Sequence, residues 1–322
     1  MYSAPALLEP SAAPAPHQVS DGTRAYIDGS LAASTRRGYR ADWEDFRCWC
    51  ERFCAIALPA SPITVAEYLS AVAQTGVKAG TVRRRLAAIR FAHKQVGHEP
   101  PTNSEFVKRT MAGIQRALGS AQQGKAPIMK DDLQAMVRTC PSTLKGLRDR
   151  ALLLIGWAGA FRRSELVALI VDDVEFTPKG LRIHIRRSKT DQEGKGRQVG
   201  IPFGVSEDTC PVAALRAWLD AAGITTGPLL RSVLKGGRVS NRPLSGYDVA
   251  RIVKAASVTV GLNPARYAGH SLRAGLATSA AEAGASAFVI AQQTGHKSMD
   301  MVNRYVRFAN LFSLNAASIA GL

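Results

Sequence analysis

The chain has 322 residues, 46% hydrophobic and 21% charged, which is enough for two folded units with cores of their own. Its 42 Lys and Arg outweigh 25 Asp and Glu by +17, an imbalance that points to a polyanionic partner, most simply nucleic acid. No stretch is apolar for long enough to span a bilayer, no charged-then-apolar leader follows Met1, and five cysteines, an odd count, argue against a disulfide framework and for a reducing compartment.

Residues 1–28 are rich in Ala, Ser and Pro, with prolines at Pro5, Pro10, Pro14 and Pro16, and read as a disordered tail. Residues 29–120 read as a small helical domain. A first helix is expected from a Ser34 or Thr35 cap, with Tyr39, Trp43, Phe46, Cys50 and Phe53 at three- and four-residue steps and Arg36, Arg37 and Arg40 on the other face. Cys48, Cys50 and Cys54 fall within this pattern with no histidine nearby, so they read as buried thiols and no metal site is expected. Thr64-Val65-Ala66-Glu67 has the form of a capping box opening a second helix. A third runs from Gly80-Thr81 with Val82, Leu86, Ile89 and Phe91 inward and Arg83, Arg84, Arg85, Arg90 and Lys94 as its basic residues. Pro100-Pro101 break the chain before a fourth helix capped by Asn103 or Ser104 and bearing Phe106, Met111, Ile114 and Leu118. One basic run alone is ordinarily a solvated face; several in one domain of this charge favour contact with a DNA backbone.

Residues 121–127 read as a linker, polar and without periodicity, and 128–322 as a second domain. Helices are expected over 130–137 and 147–157, followed by Arg162-Arg163-Ser164-Glu165-Leu166 at the start of another. Three short strands come next, over 171–176, 181–187 and 198–201, and form the one convincing β region. Pro211 and Gly223 bracket a helix bearing Leu215 and Trp218, and Ser245 opens one bearing Tyr247, Arg251 and Lys254. The stretch 270–305 then holds His270-Ser271-Leu272-Arg273, Gly295-His296 and, nine residues past His296, Tyr305.

Taken in order, Arg-x-Ser-Glu-Leu at Arg162, a lysine in a β-turn at Ser188-Lys189-Thr190, His-x-x-Arg at His270, Gly-His at His296 and Tyr305 resemble the tyrosine recombinases, the phage integrase family. The resemblance covers nearly the whole chain after the tail, including a helical domain similar to that family's core-binding domains. It departs from the family at Ala160-Phe161, where Gly-Leu is commoner, and at Thr294, where Leu is usual. It implies a mainly α fold with a small antiparallel β-sheet in the catalytic domain, arranged as a two-domain C-shaped DNA clamp.

It also implies a site-specific recombinase that cleaves and rejoins DNA through a 3′-phosphotyrosyl intermediate and a Holliday junction. Tyr305 would be the nucleophile, Arg162 and Arg273 the phosphate donors, and Lys189 the general acid. His270 and His296 would hydrogen-bond the phosphate, with His270 helping to take the tyrosine proton and Glu165 orienting an active-site partner. Lys195, in Gly-Lys-Gly, is the alternative acid, a placement similar to that in the Xer recombinases. No cofactor is implied, because the covalent link itself stores the bond energy that religation needs. The implied partners are double-stranded DNA carrying an inverted-repeat site, with no membrane, and three further copies of the chain. These would form a homotetramer on two duplexes, joined through the apolar segment Leu311, Phe312, Leu314 and Ile319. A bacterial or phage cytoplasm, at the nucleoid, is the implied location. Two alternatives stay open on the residues: type IB topoisomerase-like relaxation, and a DNA-binding accessory factor that has lost its chemistry.

Overall fold

This computed structural model describes residues 20–119, 124–188, 191, 194–309 and 320–321, and the chain divides into two compact units, 1–122 and 123–322. The fold is mainly helical with two small antiparallel sheets.

The first unit contains α1 (Asp21–Gly29), α2 (Ala33–Arg52), α3 (Pro62–Gln74), α4 (Ala79–Gln95) and α5 (Glu105–Leu118). The sequence reads as a tail up to residue 28, but a helix starts at Asp21. Ser20 caps it by accepting from the Thr23 amide, and Asp21 sits in the first turn, where the helix dipole favours an acid. Ser34 and Thr35 lie inside α2, whose N-cap Ala32 makes no side-chain bond. α3 starts earlier than the Thr64 box suggests, because Ser61 accepts from the Thr64 amide and Pro62 fits the first helical position. Phe46, Cys50, Tyr68, Leu69, Val82 and Ile89 form the core. Only Cys50 of the three clustered thiols is buried, since Cys48 lies on the outward side of α2 and Cys54 follows the helix end. Phe53, Phe106 and Leu118 are exposed as well, and Val107 takes the inward place beside Phe106.

The second unit is built on α7 (Leu144–Ala158), which follows α6 (Lys130–Arg138) and is buried along Leu152, Leu153 and Ile155. Then come α8 (Arg163–Ala168) and a sheet of β1 (Val174–Thr177), β2 (Gly180–Ile185) and β3 (Arg197–Pro202), in the order β1-β2-β3. Residues 171–173 form a 3₁₀ turn rather than the start of β1. In the β2–β3 register Leu181 faces Ile201, Ile183 faces Val199 and Ile185 faces Arg197, so the apolar side chains share the inner face. α9 (Pro211–Ala222) ends at Gly223 in the left-handed conformation. A second sheet, β4 (Arg231–Val233) with β5 (Val239–Pro243), precedes α10 (Gly246–Thr259), α11 (His270–Glu282), α12 (Ala287–Thr294) and α13 (Met299–Ala309).

The end of the expected linker is fastened to this unit. The Ala126 amide donates to the Arg266 carbonyl at 2.9 Å, the Lys125 ammonium to the Ala265 carbonyl at 2.6 Å, and the Ile128 amide to the Ser271 carbonyl at 3.0 Å. α13 docks on α11 and α12 through Val302 and Val306 against Ala277, Ala281 and Ile290, which fixes where Tyr305 stands. The segment from Leu311 to Ile319 lies outside the described residues.

Candidate active site

The chain leaves α7 at Gly159 and turns at Ala160, which holds φ 48°, a left-handed conformation that costs a residue with a Cβ about 1–2 kcal/mol. In this turn the Ala160 carbonyl accepts from Arg273 Nη1 at 2.8 Å. Arg162 follows as the N-cap residue of α8. Glu165, three positions on, accepts from the Arg162 amide at 2.9 Å and from its Nη1 at 2.7 Å. The carboxylate is 1% exposed, so it acts as a fixed buried anion that holds Arg162 in one orientation.

α11 begins at His270, and the three-residue step to Arg273 puts both on one helix face. Arg273 is buried, donates from Nη1 to the Ala160 and Thr294 carbonyls, and keeps Nη2 buried with no hydrogen-bond partner among the described residues. Burial first, and then the positive charge of Arg162, draw its pKa down to about 10, so it remains a cation at neutral pH. A buried cation with one free donor arm is costly by itself and is completed by an anion.

α12 ends at Thr294, and Gly295 takes φ 66° to turn the chain into His296. Thr294 Oγ1 donates to the Ile290 carbonyl at 2.6 Å and faces His296 Nδ1 at 2.8 Å. Burial, followed by the charges of Arg273 and Arg162, pulls His296 down to about 4, so its imidazole is neutral at pH 7. The Tyr305 ring lies 6.0 Å from the His296 ring, and the Tyr305 hydroxyl is 3.4 Å from His270 Nε2. Burial raises the Tyr305 pKa against the pull of Arg273, Arg304 and Arg162. The surrounding protein, then Arg273 and Arg162, lower that of His270 although its ring keeps an exposed edge. A protonated phenol therefore faces a neutral imidazole, the state from which the tyrosine proton can pass to the ring.

Arg162, Glu165, His270, Arg273, His296 and Tyr305 are thus brought into one site. Lys189 lies outside the described residues. Lys195 is exposed on the β2–β3 turn, where its amide donates to Asp191 Oδ1 at 3.1 Å. Arg163 lies against Gly246 and Gly269 at the starts of α10 and α11. Arg197 was not signalled by any motif; it reaches Glu165 and the end of α12 from β3.

Among the basic residues expected at DNA, Arg36, Arg37, Arg40, Arg90 and Lys94 are exposed on the first unit, and Tyr247 and Lys254 on α10, where Arg251 pairs with Asp248 at 3.3 Å. The Arg83–Arg85 run divides. Arg85 bonds Asp45 and the Tyr68 hydroxyl, and Arg84 pairs with buried Asp42 at 3.1 Å, so two of the three tie α4 to α2 and α3. Arg83 faces the Gln115 amide, whose oxygen, turned toward it, accepts at 2.6 Å.

Buried Arg273 and half-buried Arg162 around a histidine-flanked tyrosine, on this mixed helical scaffold, define the class. Residues 127–310 match the model of the phage integrase family, and the chain belongs to that family. It is a tyrosine-type site-specific recombinase, an enzyme of DNA recombination. It is 42% identical over 294 residues to an integrase/recombinase xerD homolog of Selenomonas ruminantium, covering 90% of this chain and 86% of the relative. It is 25% identical to the recombinase cre of Escherichia phage P1, over 84% of this chain and 82% of that one. The fold is shared with the Tn1549 transposon integrase in complex with transposon right end DNA, at TM-score 0.60 and 14% identity over 91% of this chain and 97% of that one. It is shared too with a lambda integrase dimer bound to a COC′ core site, at TM-score 0.59 and 17% identity over 88% of this chain and 74% of that one.

Proposed function

We propose that this recombinase cuts DNA by attack of the Tyr305 hydroxyl on a phosphodiester and rejoins it by the reverse reaction. The observation that carries the reading is the Tyr305 hydroxyl 3.4 Å from His270 Nε2, beside a buried Arg273 with one free donor arm. The Tyr305 oxygen forms a bond to phosphorus as its proton passes to His270, and the bond from phosphorus to the 5′ oxygen breaks. That oxygen takes a proton from Lys189, with Lys195 as the alternative donor. The product is a 3′-phosphotyrosyl end and a free 5′ hydroxyl, and a 5′ hydroxyl from a second duplex reverses the step to give a Holliday junction.

Negative charge gathers on the non-bridging oxygens in the transition state, and the guanidiniums of Arg162 and Arg273 stabilise it there more than in the ground state. His296 adds a donor once the phosphate's charge offsets the burial and the neighbouring cations that keep its ring neutral. Neither nucleotide nor metal is called for, since the phosphotyrosyl bond conserves the energy of the one broken.

In this reading residues 29–120 bind the core of the site and 128–322 carry the chemistry on double-stranded DNA with inverted-repeat arms. Four copies act on two duplexes, linked by the segment around Leu311 to Ile319, in a bacterial or phage cytoplasm. Exposed Arg36, Arg37, Arg40, Arg90 and Lys94 of the first unit, and Tyr247 and Lys254 of the second, meet the backbone. The test is incubation with genomic fragments in chelator without nucleotide, then denaturation and sequencing of DNA covalently held by the protein. One shared core sequence among the trapped fragments supports the reading, and absence of covalent DNA overturns it.

A further inference from the structure

Strand geometry puts Arg197 where a side chain points inward. Val199 and Ile201 on β3 are buried at two-residue steps, and Arg197 continues that row opposite buried Ile185. An arginine at such a position is retained at a cost in desolvation, and among the described residues this one meets one carboxylate, Glu165. Its Nη2 approaches Glu165 Oε2 at 3.4 Å, the same oxygen that accepts from the Arg162 amide at 2.9 Å. Its Nη1 donates to the Gln293 carbonyl at 3.2 Å.

This last bond belongs to a series. The carbonyls that end a helix lack partners within it and form the negative end of its dipole. At α12, Gln293 O receives Arg197, Thr294 O receives Arg273 and Gly295 O receives Arg162 at 3.3 Å. Three consecutive carbonyls are thus held by three guanidiniums, and His296 is the next residue. The Gln293 side chain ties the same turn to the Gly200 carbonyl of β3 at 3.1 Å. Gly295 fits this closure, because a Cβ there would stand 2.7 Å from Arg197 Nε.

Resting on the phosphotyrosyl mechanism above, we propose that Arg197 is a positioning residue: it shares Glu165 with Arg162 and pins the last turn of α12, setting where Arg162 and His296 meet the phosphate. Its Nη1 and Nη2 are engaged by Gln293 and Glu165, and its Nε is closed off against Gly295, so it acts through these groups rather than on the DNA. Without Arg197, the Glu165 charge falls on Arg162 alone and draws that guanidinium from the phosphate. The turn before His296 also loses one of its three anchors.

The experiment compares single-turnover cleavage of a nicked suicide duplex, affinity for the uncut duplex and thermal melting. It uses the full chain as wild type, Arg197→Ala, Arg197→Lys, Glu165→Gln and Arg197→Ala/Glu165→Gln, with Tyr305→Phe as the blank. Arg197→Ala is expected to slow cleavage by roughly 10- to 100-fold, the scale for a displaced catalytic group, with affinity within about threefold of wild type. Arg197→Lys recovers part of that loss. In the Glu165→Gln background the same alanine substitution costs less than about threefold more, because both changes remove one coupled arrangement. Wild-type cleavage by Arg197→Ala, or full multiplication of the two losses, overturns the proposal. If the alanine variant does not fold, Arg197→Lys decides: slower cleavage at wild-type affinity and melting supports positioning, and wild-type cleavage rejects it. Wild-type protein that forms no adduct takes the mechanism and this inference down together, whereas an active wild type with unaffected Arg197 variants removes only this inference.

Discussion

Replacing Gly275 by alanine is expected to destabilise the second unit by about 2–4 kcal/mol and to slow cleavage. Gly275 lies on α11 two residues past Arg273, where the chain at Ile128 crosses the helix. A Cβ there would stand 1.9 Å from the Ile128 carbonyl oxygen and 2.8 Å from Trp157 Nε1. The crossing segment has to withdraw by roughly 1.5 Å to reach ordinary contact, which breaks the Ile128 amide bond to Ser271 O and the Trp157 indole bond to Ile128 O, both 3.0 Å. Each such bond contributes about 1 kcal/mol net, and overpacking adds about 1–3 kcal/mol. The better helix propensity of alanine returns about 1 kcal/mol. Gly113 on α5 is the control: nothing lies within 4 Å of its Cβ position, so Gly113→Ala should gain about 0.5–1 kcal/mol. Urea unfolding followed by fluorescence measures both, with Trp157 and Trp218 reporting on the second unit and Trp43 and Trp49 on the first. A Gly275→Ala protein within about 0.5 kcal/mol of wild type would refute the close-approach argument.

Arg162→Ala should slow single-turnover cleavage by on the order of a hundredfold or more, the scale for one transition-state donor, while Arg163→Ala stays within about tenfold. The reverse order would shift the motif by one residue. Lys189→Ala should cut poorly when oxygen is the leaving group and recover on a 5′-bridging phosphorothiolate, whose sulfur leaves without a proton; equal losses on both would turn attention to Lys195. His270 and His296 are both held below the ordinary value of 6.5, His296 at about 4, so the folded state binds fewer protons than the unfolded one. Stability should therefore be fully present above pH 6.5 and fall as pH drops toward 4. Melting temperatures measured across that range check this, and His296→Gln should flatten the decline.

Most of the helical scaffold was legible because its apolar residues keep helical spacing and its ends carry Pro, Gly or Ser signals, as at Pro211, Gly223 and Ser245. Helix caps are less legible. Ser34, Thr35 and Thr64 are all cap-forming types, but the chain starts its helices earlier, at Ala33 and Pro62. The β4–β5 pair carries no strand signal in the sequence, because Arg231-Ser232-Val233 and Val239-Ser240-Asn241-Arg242-Pro243 show no sustained apolar alternation. Within the site, the motif residues were readable by type and spacing. Arg197 was not, although an arginine in phase with Val199 and Ile201 on a strand was the available signal. The Arg83–Arg85 run misled in the opposite direction: charge in sequence does not reveal that Asp42 and Asp45 on α2 take up Arg84 and Arg85.

The central claim is that Tyr305 carries the covalent link. Wild type and Tyr305→Phe should be incubated side by side with the trapped core sequence as a nicked suicide duplex and resolved on native and denaturing gels. The substitution removes one hydroxyl and almost no volume, so both proteins should shift the duplex on the native gel. Only wild type should retain DNA after denaturation. A covalent adduct of equal yield with Tyr305→Phe would contradict the account.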